Sequence, residues 1–246
     1  MENMWNDVKN KNVLRLVYVK EILFNYTDKT HFVTIGEIKN ILNKEYGIYA
    51  VRQTLYDDID MLIYAGCKIE RIHGRNNTSM YYIAERDFDL AELRMLIDIV
   101  DSIRSLPRSK CVSLKKKLCM LAGPSADYLL KNTNSNNLPR TENNQFYCII
   151  ETLSKAITTN RQVVFKYSKH LTSSKKPLKR ESLEYQVSPY RFVCHHNYYY
   201  LIAYSEKDMQ TLAFRTDCIC NIPEILLKDS IPEFKGFNIE SAACNN

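Results

Sequence analysis

Glycine is scarce, with six in 246 residues. Neither a phosphate loop nor a Gly-x-Gly-x-x-Gly turn occurs, so the usual glycine-rich cradles for nucleotide phosphates are excluded. No Gly-x-Ser-x-Gly elbow and no His-Glu-x-x-His helix is present either, which removes the common hydrolase and zinc-protease signatures. No apolar run approaches the roughly 18 residues that a bilayer span needs. The opening Met1-Glu2-Asn3-Met4-Trp5-Asn6-Asp7 lacks the basic-then-apolar order of a secretory leader. A cytoplasmic protein without membrane contact is expected.

Cysteine is present eight times but never as Cys-x-x-Cys, so neither a structural zinc site nor a redox pair is signalled. Cys194-His195-His196, with Cys218 and Cys220 later, offers soft ligands, yet the spacing matches no standard metal site. Strand-end residues without a metal role are the better reading. A strongly basic region is also lacking. The net charge of +6 divides as +1 over residues 1–84, +2 over 85–138 and +3 over 139–246. Nucleic-acid binding therefore cannot be argued from net charge and must come from where particular residues sit. The one dense carboxylate group, Asp57-Asp58 with Asp60, lies inside a helical pattern, which explains it better than Mg²⁺-dependent chemistry does. No enzyme activity and no cofactor is expected.

What is present is a clear order of elements. Residues 13–24 carry apolar side chains at helical spacing. Thr34 with Glu37 forms a capping box before the stripe Ile35, Ile38, Ile41 and Leu42, and Gly47 lies just beyond. A third helix starts near Tyr49 and runs to about Tyr64, stopped by Gly66. Residues 67–83 then alternate around His73-Gly74-Arg75-Asn76-Asn77, the pattern of a β-hairpin. Three helices followed by a hairpin is the order of a winged helix-turn-helix, over residues 1–84. Asp89 with Glu92 caps a fourth helix with the stripe Leu93, Leu96, Ile97, Val100, Ile103 and Leu106. A fifth spans about Ser109 to Leu121 and carries Lys115-Lys116-Lys117, a solvated face. Residues 85–138 thus form a helical linker and dimerisation segment, and 132–145 are rich in Asn, Thr and Ser without periodicity. A helix near 146–159 precedes several short strands, at 163–167, 183–193, 198–204 and 212–219, separated by a lysine-rich loop at 170–180. That is a small barrel-like β-domain over residues 139–246. The fold class is α+β.

On the third helix, Val51, Leu55, Ile59 and Leu62 fall within about 80° of one another and form the buried stripe. Arg52, Gln53, Thr54 and Tyr56 point elsewhere and suit a major groove, where Gln and Arg pair with base edges. The bland alternative is a solvated face of an ordinary helical domain. Lys68, Arg71, His73 and Arg75 cluster on and beside the hairpin tip, where a wing meets phosphates. Asp57 and Asp60 weaken that surface and call for a matching sequence or a second copy.

The run Val51-Arg52-Gln53-Thr54-Leu55-Tyr56-Asp57-Asp58-Ile59-Asp60-Met61-Leu62, with Gly66 after it, resembles the recognition helix of bacterial WYL-domain regulators. Gln53 and Asp57 stand where that family commonly has Arg. The C-terminal half resembles the WYL domain itself through Ser188-Pro189-Tyr190, Tyr199-Tyr200-Leu201 and Phe214-Arg215-Thr216-Asp217, with Tyr199 in place of the family's Trp. The resemblance implies an Sm/SH3-like barrel whose groove binds a ligand, in some members a nucleotide or single-stranded nucleic acid. Period-2 parity puts Tyr199, Leu201, Leu212 and Phe214 toward the core and leaves Tyr200 and Arg215 on the other faces. Arg215 suits phosphate and Tyr200 a stacked base, with Tyr167 and Tyr190 as neighbours. The alternative for Arg215 is a structural ion pair with a carboxylate. The function expected is a homodimeric, ligand-responsive transcriptional regulator bound to a duplex operator. Its alternative is an accessory protein that contacts single strands through the WYL domain.

Overall fold

The computed structural model describes residues 8–74, 78–131, 140–168 and 182–233. The chain divides into two compact units, Met1–Asp98 with Leu114–Asn134, and Ile99–Ser113 with Ser135–Asn246. All the dividing points lie within residues 85–138.

The first unit contains α1 (Val8–Tyr26), β1 (Val33–Thr34), α2 (Ile35–Tyr46), α3 (Arg52–Tyr64), β2 (Ile69–His73) and β3 (Ser79–Ile83). Thr34 starts α2 with a full capping box: its side chain accepts from Glu37 N at 3.2 Å, while its own N–H donates to Glu37 Oε2 at 2.7 Å. Gly47 closes the helix at φ 65°, a left-handed conformation that suits glycine. The strands form an antiparallel sheet in the order β1-β3-β2. Val19, Ile22 and Leu23 of α1, Ile38 and Leu42 of α2, Leu55, Ile59 and Leu62 of α3, and Tyr81 and Ile83 of β3 make one core. Val51, assigned to the buried stripe from periodicity, is 60% exposed. It precedes α3 as an N-cap in extended backbone, so helical spacing does not apply to it. The fourth buried side chain of α3 is Asp58 instead.

The chain continues through α4 (Leu90–Ser102), α5 (Arg108–Met120) and α6 (Ala126–Lys131). Asp89 and Glu92 cap α4 reciprocally at 2.8 and 2.9 Å. Leu93 and Ile97 are buried against Cys119, Ala122 and Leu129 within the first unit, so that part of the stripe serves an internal core. Gly123, at φ 64°, leaves room that a Cβ would fill against Arg86. The Arg86 guanidinium donates to the carbonyls of Phe24 and Thr27 and so caps the end of α1.

The second unit is built on α7 (Phe146–Thr158) and the strands β4 (Arg161–Tyr167), β5 (Leu183–His195), β6 (Tyr198–Ser205), β7 (Gln210–Arg215) and β8 (Glu224–Asp229). They form an antiparallel sheet in the order β7-β6-β5-β4-β8. α7 lays Ile149, Leu153 and Ala156 against Val163, Phe165, Leu201, Ala203 and Phe214 on one face. The register of β5 slips between Pro189 and Arg191, where proline has no N–H to give the ladder. β5 and β6 meet at a two-residue turn whose His196 and Asn197 both have positive φ, 46° and 66°, as a type I′ hairpin requires.

The expected Sm/SH3-like barrel is not closed among the described residues. β8, which the sequence reading missed, takes the edge of β4 at Arg161–Val164, leaving β7 and β8 as the two edges. An isolated bridge between Tyr167 and Ile219 joins the chain after β7 to the end of β4, without a continuous ladder among the described residues.

Candidate nucleic-acid interface and ligand face

The first candidate surface rises from α3. Arg52 and Gln53 are exposed, while Thr54 and Tyr56 are half-buried. The Gln53 amide donates to Asp57 Oδ1 at 3.1 Å, one helical turn on, so carboxylate and amide hold each other in solvent. Tyr56 packs partly on the core, its ring 6.5 Å from that of Tyr81. Asp58 points inward and takes a two-pronged contact from Arg15 of α1, Nε to Oδ2 at 2.6 Å and Nη2 to Oδ1 at 3.0 Å. The hydrogen bond to Asp58 outweighs burial and raises the Arg15 pKa above its ordinary value. This pair pins α3 to α1 and removes one of the three aspartates from the outer face.

Lys68, Arg71 and His73 are exposed on the hairpin, and Arg75 lies outside the described residues. The Arg71 guanidinium donates to Ser79 Oγ across the strands, 2.9 Å from Nε, with Nη2 also in contact. Its cross-strand partner is Tyr81. Burial raises the Tyr81 phenol pKa, Arg71 opposes that shift, and Tyr56 and Asp60 add to it. Arg71 and Tyr56 therefore both neighbour the Tyr81 ring, and α3 adjoins the hairpin.

The second candidate surface is the sheet face of the second unit opposite α7. Tyr200, Ile202 and Ala213 form a small cluster there, with Tyr190, Val193 and Tyr198 packed against it. Tyr200 and Arg215 are direct cross-strand partners. Tyr200 is 6% exposed, so its ring is largely covered by its neighbours. Arg215 donates to Asp217, Nε to Oδ1 at 3.2 Å and Nη2 to Oδ2 at 2.7 Å, and lies 3.7 Å from the centroid of Tyr198. Burial acts against its charge, but the Asp217 hydrogen bond wins and raises the guanidinium pKa. Its side chain is 20% exposed and that of Asp217 only 3%, which makes this a largely buried ion pair. The structural alternative for Arg215 is thus physically present, with the remaining guanidinium edge and the Tyr198 stack beside it.

Tyr167 sits apart from that face. It is buried in the main core, edge-on to Tyr185 and Phe214, and its hydroxyl accepts from Arg215 N at 3.2 Å. Burial drives its pKa well up. Tyr190 donates to Pro232 O at 3.2 Å, and burial, then Glu233, pushes its pKa to about 12. Tyr199, expected in the core, is half-buried and stacks on Phe192 at 5.0 Å. Tyr198 lies two residues from Tyr200 on β6, so period-2 alternation puts both on one face; Arg15 carries no local signal, because its partner is 43 residues away.

A depression of about 380 Å³ is lined by Tyr185, Gln186, Lys228 and Glu206, whose carboxylate already accepts from Gln162 and Lys228. Among the described residues no cluster of His, Cys, Asp and Glu could hold a metal, and no helix is long and apolar enough to cross a membrane.

Residues 149–223 match the WYL domain. That stretch runs from α7 to the residue before β8 and contains the Tyr198–Tyr200 and Arg215–Asp217 clusters. No curated protein matches the chain. Among solved structures, proteasome accessory factor B/C (PafBC) of Arthrobacter aurescens is 18% identical, with a TM-score of 0.30. The alignment covers 88% of this chain and 33% of that one, so the chain spans about a third of that protein's length.

Proposed function

We propose that the chain is a ligand-responsive, DNA-binding transcriptional regulator that acts without catalysis, as a cytoplasmic homodimer. The observation that carries the reading is the pairing of a WYL domain with a unit ordered α-β-α-α-β-β, whose sheet runs β1-β3-β2. That order is what a winged helix-turn-helix requires: α3 is the recognition helix and β2–β3 the wing. Arg52, Gln53, Thr54 and Tyr56 read the major groove, and Lys68, Arg71, His73 and Arg75 hold phosphates. The α3 surface carries Asp57 and Asp60, so a single copy binds weakly, and a two-fold pair on a palindromic operator restores affinity. The internal use of Leu93 and Ile97 leaves Leu90 and Met95 exposed on the same stretch of α4 for that contact. The WYL match fits a regulatory role, and the Tyr198–Tyr200–Arg215 face receives an anionic, nucleotide-like ligand or a single strand.

The exposed aspartates on α3 favour one competing reading, an accessory protein that grips single strands through the WYL domain alone. Binding measured against salt on a specific duplex, a scrambled duplex and a single strand separates the two. Preference for one duplex sequence supports the regulator. Binding to single strands only, unchanged by Gln53→Ala, supports the accessory protein.

A further inference from the structure

We infer that Arg104, in the turn between α4 and α5, is a second cationic arm of the ligand face, and that the group this face receives is a phosphate. The inference deepens the ligand-sensing reading above and depends on it.

The turn is held against the β5–β6 hairpin within the second unit. Arg104 N donates to Asn197 O at 2.7 Å, and the buried Ser105 hydroxyl accepts from Tyr199 N at 2.9 Å. These bonds fix the base of the Arg104 side chain beside Tyr198. Its guanidinium carbon lies 5.9 Å from the centroid of that ring, and that of Arg215 lies 3.7 Å from it. Two guanidiniums therefore converge on one tyrosine.

Their hydrogen bonding differs. Arg215 gives Nε and Nη2 to Asp217, which neutralises it. Arg104 Nε is buried and has no hydrogen-bond partner. A buried donor without an acceptor is costly, and native structures rarely keep one without a use. The turn does not need this guanidinium for support, because Arg140 supplies that: it donates to the carbonyls of Asp101, Ile103 and Leu106 and to the Asp101 carboxylate. Arg104 is left as an uncommitted cation over an aromatic ring. A phosphate offers several oxygens to a planar donor fork, and its charge balances the cation that Asp217 does not. The phosphate belongs either to a free mononucleotide or to the backbone of a single strand.

The test uses the full chain as wild type, Arg104→Gln and Arg104→Lys, titrated with thymidine, thymidine monophosphate and a short oligothymidylate strand, with thermal unfolding alongside. We expect the wild type to bind a phosphate-bearing probe and to prefer it to thymidine. Arg104→Gln should weaken that binding about tenfold or more, as loss of a charged hydrogen bond does, with Tm unchanged. Arg104→Lys should recover part of it. Binding of the monophosphate points to a free nucleotide, and binding of the strand alone to backbone phosphate. Equal affinity of wild type and Arg104→Gln overturns the role of Arg104 while leaving the ligand reading intact. Thymidine bound as tightly as its phosphate overturns the phosphate assignment, as does a fall in Tm with no rescue by lysine overturn the binding role. Failure of the wild type to bind any probe overturns the ligand reading itself, and this inference with it.

Discussion

The two units use charge in opposite ways. In the first, one internal ion pair, Arg15 with Asp58, fixes α3, and most of the described side chains assigned to DNA, Arg52, Gln53, Lys68, Arg71 and His73, are exposed, while Tyr56 packs partly on the core. In the second, the side chains assigned to the ligand are themselves part of the scaffold: Arg215 is tied to Asp217, Tyr167 to Arg215 N, and Tyr200 is buried. Scaffold and function separate more fully in the first unit than in the second. A substitution can therefore report on recognition alone in α3, but one at Arg215 reports on stability and recognition together.

The largest effect should come from the ion pair that supports α3. Arg15→Ala leaves Asp58 buried and unpaired and should cost about 3–5 kcal/mol, read as a lower unfolding transition by calorimetry. A change below about 1 kcal/mol would show that α3 does not depend on this anchor, and would weaken the contrast. Arg215→Ala should come next, at about 2–3 kcal/mol, reduced because Arg215 keeps some contact with water while Asp217 does not. An unchanged Tm for Arg215→Ala would make Arg215 as free as Arg52 and erase the distinction between the units.

The elements of this account were unevenly legible in the sequence. The capping boxes at Thr34–Glu37 and Asp89–Glu92 are local, so three residues sufficed to find each helix start. Period-2 parity put Tyr200 and Arg215 on strand faces opposite Leu201 and Phe214, but not their direct pairing, which depends on the register of two strands. Val51 failed because periodicity marks direction only inside the helix, and the helix begins one residue later. The Arg15–Asp58 and Arg104–Tyr198 contacts join residues far apart in sequence, where no spacing rule applies. β8 was missed because its residues are mostly exposed, so it lacks a buried alternating face. The apolar stripe of α4 reads continuously, yet the unit division falls within it, and a periodic pattern carries no sign of that change.

Smaller effects sharpen the other side of the comparison. Gln53→Ala should leave Tm unchanged and relax base preference at one operator position by about 1–3 kcal/mol. Equal discrimination by wild type and variant would remove Gln53 from the interface. Arg71→Ala should weaken binding to all duplexes alike and lower the salt slope by about one. A loss confined to one sequence would mean that Arg71 reads a base instead of a phosphate.

The central claim is that α3 reads duplex DNA. Its most direct test is to sequence the DNA recovered with the chain from cells and to measure salt-dependent binding of the enriched duplex by wild type and Gln53→Ala. The account predicts a shared, two-fold motif whose preference changes at one position in the variant. Recovery of DNA without any shared sequence, with wild type and variant binding every duplex equally, would contradict it.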